Sequence, residues 1–385
     1  MTKEPMPMNA GEQFCSYQHC PKRGLKKQGN ITIHDPQRQR YRCKVCGKTF
    51  SERTGTMFEG LRKPQGLILV VVTLLAWGCP VQAIVAAFGL DERTIADWRD
   101  RAGHHCERVH DTLVGKQSLD LQHVQLDEIR AKGVGKVIWL AMGIMVPTRL
   151  WLGGVVSTTR DRALADRLLK LVRLCAKTSG KVLVCVDGWA AYPKAIKRAF
   201  REKVLSVKSG PGQSQRGRPR LALWPQLAIG VVIKYKRAYK LVEVRREIVA
   251  GSRELVAELI SASQGGLYLN TSYIERFNAT LRERLGSLSR KCRHAARRVE
   301  ALETGMYLVG SVYNFCVPHR ELRIANYDRV EQGRWQKRSP AMASGLSDHI
   351  WSIGELLKYK VVPPPFVPPK RRGRPPKKSV QNFTV

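Results

Sequence analysis

The strand-length apolar runs between residues 121 and 187 constrain this chain more than any other feature. Residues 137–145 and 150–156 are uncharged and apolar, and Val146-Pro147-Thr148-Arg149 between them supplies a turn, so together they predict a hairpin. Thr159 can cap a helix over 161–176, where Leu164, Leu168, Leu171, Val172 and Cys175 recur at helical spacing. Residues 182–187 then read as a buried strand ending in Asp187. With the strand around Val124-Gln125-Leu126-Asp127, the order is three antiparallel strands, a helix and a further strand. That order predicts an α+β chain with a mixed sheet flanked by helices.

Charge narrows the class of partner. The chain carries 67 Lys and Arg against 31 Asp and Glu, a formal charge of +36, far beyond what solubility requires. A polyanionic partner is implied, and the basic residues recur from Lys22 to Lys378, so the phosphate-contacting surface spans several modules. A hydrophobic fraction of 43% allows two or three domains with cores of their own. The N-terminal residues lack the apolar core of a signal peptide, and a reduced cytoplasmic location is expected. Residues 64–90 are uncharged, yet Gly78, Pro80, Gln82 and Gly89 divide them into two short helices rather than a membrane span.

Four of the ten cysteines are closely spaced: Cys15-x4-Cys20 and Cys43-x2-Cys46, with Gly47 suited to the turn after the second pair. Two such pairs can give zinc a tetrahedral thiolate shell that orders a segment too small to bury a core. His19 is an alternative to Cys20. The other cysteines lack ligand spacing and read as packing residues. Residues 81–88, Gly89-Leu90 and 91–101 have the pattern of a helix-turn-helix, with Asp91 as N-cap and Thr94, Trp98 and Arg101 within reach of DNA. An ordinary helical hairpin has the same pattern.

Three carboxylates stand in unlike settings: Asp127 and Asp187 on strands, and Glu275 in the helical run Tyr273-Ile274-Glu275-Arg276-Phe277-Asn278. If they converge, hard cations such as Mg²⁺ can be held there for in-line displacement at phosphorus. Arg282, two helical turns after Glu275, can place a cation beside them, and Arg276 is a further candidate for DNA contact, although a solvated basic helix face accounts equally for either. Glu128, next to Asp127, is expected on the opposite sheet face and outside the site.

These pieces resemble the DDE transposases of simple bacterial insertion sequences, which combine a four-cysteine zinc ribbon, a helix-turn-helix and a ribonuclease-H-like catalytic domain. The matching residues are Arg42 to Phe50 with Gly55-Thr56, Leu126-Asp127-Glu128, Asp187-Gly188-Trp189 with Tyr192, and Ile274 to Asn278 through Arg282. The resemblance implies Asp127, Asp187 and Glu275 as ligands of Mg²⁺ or Mn²⁺ and Arg282 as the basic position after the glutamate. It also implies cleavage of double-stranded DNA at element ends, joining of the freed 3′-hydroxyl to target DNA, and a homo-oligomer on DNA associated with the nucleoid. Trp189 and Tyr192 are expected to pack beside the sheet. The organisation expected is a zinc ribbon over 1–60, a helix-turn-helix over 61–115, a catalytic domain over 120–320 with an insertion at about 209–250, a helical extension over 321–360, and a Pro-rich basic tail over 361–385.

Two Arg-Gly-Arg-Pro cores resemble AT-hooks, one at 216–219 and the other formed by Arg372, Gly373, Arg374 and Pro375. Such a ribbon can lie in a narrow A·T minor groove. Two other readings stay open. His294, Arg297 and Tyr327 mimic the spacing of a tyrosine recombinase, and the zinc and helical elements alone would suit a non-enzymatic DNA-binding regulator.

Overall fold

The computed structural model describes residues 8–177, 180–203, 220–238, 240–289, 295–326 and 334–368. They fall into two compact units, one formed by the chain up to Gly55 together with the residues from Lys360 on, the other by Thr56–Tyr359.

The first unit is built on a three-stranded antiparallel sheet of β1 (Ile31–Asp35), β2 (Arg40–Cys43) and β3 (Thr49–Ser51). Its small core is Cys15, Cys20, Ile31, Tyr41 and Cys43. The start of the expected tail is part of this unit. Lys360 donates to Gln13 and Glu52 at 2.7 and 2.6 Å, Tyr41 donates to the other Glu52 oxygen at 2.7 Å, and the Val361 amide bonds the Gly55 carbonyl. Gly24, at φ +72°, leaves room for the Pro363 carbonyl, which a Cβ there would approach to 2.3 Å.

The second unit begins with α1 (Gln65–Ala76), α2 (Val81–Phe88) and α3 (Glu92–Leu113). The uncharged stretch is thus divided as expected, with Gly89 in the left-handed conformation closing α2. Among the described residues no helix is long and apolar enough to cross a membrane. Asp91 caps α3 by accepting from the amides of Arg93 and Thr94, but α3 runs well past Arg101. Ala102, Cys106 and Val109 continue its buried stripe, no proline interrupts it, and Gly103 within it is tolerated.

The sheet of this unit follows: β4 (Gln122–Gly133), β5 (Lys136–Met145), β6 (Leu150–Ser157), α4 (Arg162–Cys175), β7 (Val182–Asp187) and α5 (Ala191–Ala199). After a small pair, β8 (Arg201–Lys203) and β9 (Leu221–Leu223), come β10 (Leu227–Arg237) and β11 (Lys240–Ala250). The six-stranded order is β11-β10-β7-β4-β5-β6, with β7 parallel to both β4 and β10 and the remaining pairs antiparallel. The hairpin expected within an insertion therefore supplies two of the six strands. Val231 and Val232 are buried in it beside β7, and a continuous apolar run such as Leu227–Ile233 is what a central strand needs. Asp161, rather than Thr159, caps α4, accepting from the Leu164 amide at 3.0 Å while Thr159 donates to its other oxygen.

The rest of the chain supplies α6 (Arg253–Ala262), α7 (Ser272–Arg284), α8 (Val299–Cys316), a hairpin of β12 (His319–Ala325) and β13 (Trp335–Arg338), and the short α9 (Pro340–Ala343) and α10 (Ile353–Lys358). The extension expected to be helical thus opens with strands. In β12 only Leu322 is buried, the mark of a surface hairpin. Helix α4 covers one face of the sheet, where Val172 and Leu126 both pack over Gly143, and α7 lies on the other. Asn314 of α8 brackets Trp151 of β6, accepting from its amide and donating to its carbonyl at 2.9 and 2.8 Å. Gly103 of α3 is pressed against α8, since a Cβ there would lie 2.3 Å from the Thr304 carbonyl oxygen.

Candidate metal centres

In the first unit the Sγ atoms of Cys15, Cys20, Cys43 and Cys46 all lie within 4.8 Å of one another. Cys15 and Cys46 are 3.5 Å apart, and Cys20 and Cys43 3.8 Å. Zinc–sulfur bonds of about 2.3 Å in a tetrahedron set neighbouring sulfurs about 3.8 Å apart, so the cluster could bind zinc. Gly47, at φ +71°, makes the turn after the second pair. Burial pushes the Cys43 thiol up, but the Cys46 amide, the Asn30 side chain and the Val45 amide outweigh it and bring it down to about 7. Burial raises the Cys15 and Cys20 thiols. His19 is exposed and packs edge-on to Tyr17, so Cys20 completes the set.

The second cluster is positioned by strand register. β4 and β7 pair in parallel from Gln122↔Val182 to Gln125↔Cys185, and continuing that register by two residues sets Asp127 beside Asp187. Both residues, with Glu275 of α7, line one cavity of about 560 Å³. The carboxylate oxygens of Asp127, Glu128 and Asp187 lie within 4.8 Å of one another. Asp187 accepts from the Trp189 amide at 3.0 Å, and Asp127 from Asn278 Nδ2 at 2.8 Å. Glu275 is held one step away by the ammonium of Lys234 on β10 and by the Thr271 hydroxyl.

Glu128 corrects the sequence reading. Alternation does turn it toward α5, where the Tyr192 hydroxyl donates to it at 2.9 Å. However, the β4–β7 ladder ends at Gln125↔Cys185, so at the level of Glu128 no β7 backbone separates the two faces and its carboxylate joins the cluster. Arg160 donates to it through two nitrogens at 2.6 and 2.5 Å, and reaches Asp187 at 3.5 Å. Tyr192 is fully buried as expected, but its hydroxyl serves the site. Trp189 lines the cavity, with Arg160 over its ring at 4.7 Å.

So many carboxylates together disfavour ionisation. Burial pushes Asp127 up to about 7, assisted by Glu128, Asp187 and Glu275. Burial and Asp187 also raise Glu128, against the opposing pull of Arg160 and Tyr192. Asn278 Oδ1 is buried with no hydrogen-bond partner among the described residues. A crowded acidic set beside an unused oxygen acceptor suits a hard divalent cation, which this group could hold.

Gln125 is the residue that sequence reasoning missed. It is fully buried, two positions before Asp127 on the same face of β4. Thr271, at the N-cap position of α7, makes no side-chain cap. Instead Gln125 Oε1 accepts from the amides of Tyr273 and Ile274 at 2.9 and 3.2 Å, while its Nε2 donates to Asn270 at 3.0 Å. One strand thereby carries Asp127 and fixes the first turn that bears Glu275.

Other expected contacts separate from this centre. Arg282 lines a neighbouring groove along the outer half of β4. Arg276 is exposed, with Arg149, Tyr313 and His319 as its electrostatic neighbours. On α3, Thr94 is half-buried and Arg101 is exposed, paired with Asp97 at 3.0 Å and donating to the Glu59 carbonyl. Trp98 is only 2% exposed; it is a core residue, because the stripe Ile95, Trp98, Ala102 faces the interior, and it does not reach DNA. Arg372, Gly373, Arg374 and Pro375, the internal copy at 216–219, and His294 and Tyr327 lie outside the described residues. No protein-family model matches this chain, and no curated protein matches it.

Proposed function

We propose that the protein is a DNA transposase of the DDE type, cleaving element ends and joining the 3′-hydroxyl to target DNA. The observation that carries this reading is the convergence of Asp127, Asp187 and Glu275 on one cavity from two parallel strands and a facing helix. The +36 charge supports a nucleic-acid substrate, and the four clustered thiols support a structural zinc in the first unit. Helices α2 and α3 and the basic tail are assigned to DNA binding on the same reading, and a homo-oligomer on DNA follows from the need to hold two element ends.

Magnesium or manganese, held by Asp127, Asp187 and Glu275 with Glu128 alongside, would supply Lewis-acid stabilisation of the attacking and leaving oxygens. The chain's own residues prepare for that load. Asn278 orients Asp127, the Trp189 amide orients Asp187, and Arg160 neutralises Glu128. Lys234 holds Glu275, and once released, its ammonium is placed at the cavity wall beside Lys236 to meet a DNA phosphate.

The test uses a labelled duplex carrying the DNA that flanks the open reading frame. Wild-type protein should nick it with Mg²⁺ or Mn²⁺, and Asp187→Ala should bind it equally while losing at least roughly a thousandfold in rate. Specific binding without cleavage by the wild type under any divalent ion would instead identify a regulator.

A further inference from the structure

Beside the acidic cavity, and separate from it, runs a groove of about 860 Å³ along the outer half of β4, past the point where β7 ends. Arg130 and Lys132 contribute from β4, Lys136 and Trp139 from β5, and Arg282 and Ser287 from the end of α7 and the turn after it. Arg130 and Trp139 are direct cross-strand partners, so their side chains leave the same face of the hairpin. Arg130, Lys132 and Lys136 are all exposed, and no carboxylate pairs with any of them among the described residues. The groove's one acid, Glu128, is already held by Arg160 and Tyr192.

The spacing suits a particular ligand. Arg130 and Lys132, two apart on β4, are separated by about 6.7 Å, comparable to the interval between successive phosphates of one nucleic-acid strand, while Lys136, paired with Gly133, lines the groove from the hairpin end. An aromatic ring beside a row of cations is the arrangement that holds single-stranded nucleic acid, phosphates on the cations and a base on the ring. Arg160 links the groove to the acidic cavity: its guanidinium lies 5.1 Å from the Trp139 ring centre on the groove side and 4.7 Å from that of Trp189 on the cavity side. Arg160 therefore borders both the cavity and the aromatic wall of the groove.

We propose that this groove is a second DNA-binding site of the Thr56–Tyr359 unit, holding a single-stranded segment of DNA by its phosphates on Arg130, Lys132 and Lys136 and by a base against Trp139. Its role as the track for a strand adjoining the cleaved bond rests on the transposase reading, but binding itself does not, and the experiment separates the two.

Full-length protein is titrated into a fluorescein-labelled oligothymidylate of roughly 15 nucleotides without Mg²⁺ or Mn²⁺, across a series of salt concentrations. The double variant K132E/K136E is compared with K170E/K194E, which makes the same charge change at exposed positions of α4 and α5 outside the groove. The groove variant should lose about tenfold or more in affinity at about 0.1 M salt, and the slope of log affinity on log salt should fall by about 1.4; the control should change by less than about threefold. Trp139→Ala should weaken binding at least about fivefold, and photo-crosslinks from 5-iodouracil should map to the β4–β5 hairpin in the wild type. Equal losses in the two double variants, or crosslinks confined to other segments, would overturn the proposal. Failure of the wild type to cleave DNA would remove the transposase reading and leave these outcomes intact.

Discussion

Replacing Asp127 by asparagine removes a charge that the fold holds at a disadvantage. In an unfolded chain an aspartate titrates near roughly 3.9, whereas in the cavity burial and three neighbouring carboxylates raise Asp127 to about 7. Native protein therefore binds more protons than unfolded protein between those values, and stability falls as pH rises through that window. At about 1.36 kcal/mol per pH unit the deficit is about 4 kcal/mol at pH 8 and about 1.5 kcal/mol at pH 5. Water entry into a partly open cavity halves such figures, leaving about 2 kcal/mol at pH 8. Asparagine keeps an oxygen for the Asn278 donor and discards the charge. Without divalent ions Asp127→Asn should thus melt about 4 °C above wild type at pH 8, with a smaller gain at pH 5. Millimolar Mg²⁺ should stabilise wild type and leave the variant nearly unmoved, narrowing or inverting the difference. Thermal unfolding at both pH values, with and without Mg²⁺, measures all four conditions. A variant no more stable than wild type at pH 8, or a difference that ignores pH, would refute the electrostatic account of this cavity.

Gln125→Ala should destabilise the protein by about 2 kcal/mol, because it strips the cap from the α7 amides, and should weaken Mn²⁺ binding in a calorimetric titration because Glu275 is no longer anchored. Lys234→Gln should do the reverse to the metal, tightening Mn²⁺ several-fold in the absence of DNA by freeing Glu275. Trp98→Ala should lower stability by about 3–5 kcal/mol in chemical denaturation; an unchanged stability with a selective loss of DNA binding would contradict its burial. Cys43→Ser should expose residues 8–55 to limited proteolysis, together with the docked segment at 360–368, while the fragment from Thr56 to Tyr359 survives.

Much of the architecture is legible in the sequence because local signals and tertiary needs coincide. Asp187 ends an apolar run of strand length, so both the strand and the exposure of its last residue follow from composition alone. The helix at Arg162–Cys175 and the hairpin at Lys136–Ser157 are legible for the same reason. What is not legible depends on where a neighbour stops. Glu128 joins the acidic group only because β7 is shorter than β4, and no residue of β4 encodes that length. Leu227–Ala250 looks like an insertion because the separation in sequence is long, yet parallel pairing with β7 makes it integral. Gln125 carries no signal beyond being a polar residue among apolar ones in a central strand. Burying an amide there is unfavourable unless both its ends are satisfied, and that is the clue it offers. Helical periodicity sets Arg282 on the same side of α7 as Glu275, but two turns of helix carry it beyond the cavity rim.

The join between Glu52, Gln13 and Lys360 has a temporal consequence. Lys360 leaves the ribosome only after the whole of Thr56–Tyr359 has been made, which at ordinary elongation rates takes roughly 15 to 60 s. Throughout that interval the cysteine module lacks its last clasp, with Glu52 missing its ammonium partner and the Gly55 carbonyl its amide. A nascent or prematurely terminated polypeptide therefore differs from a finished one in its earliest-made module, and the progress of synthesis is written into the packing of residues translated long before.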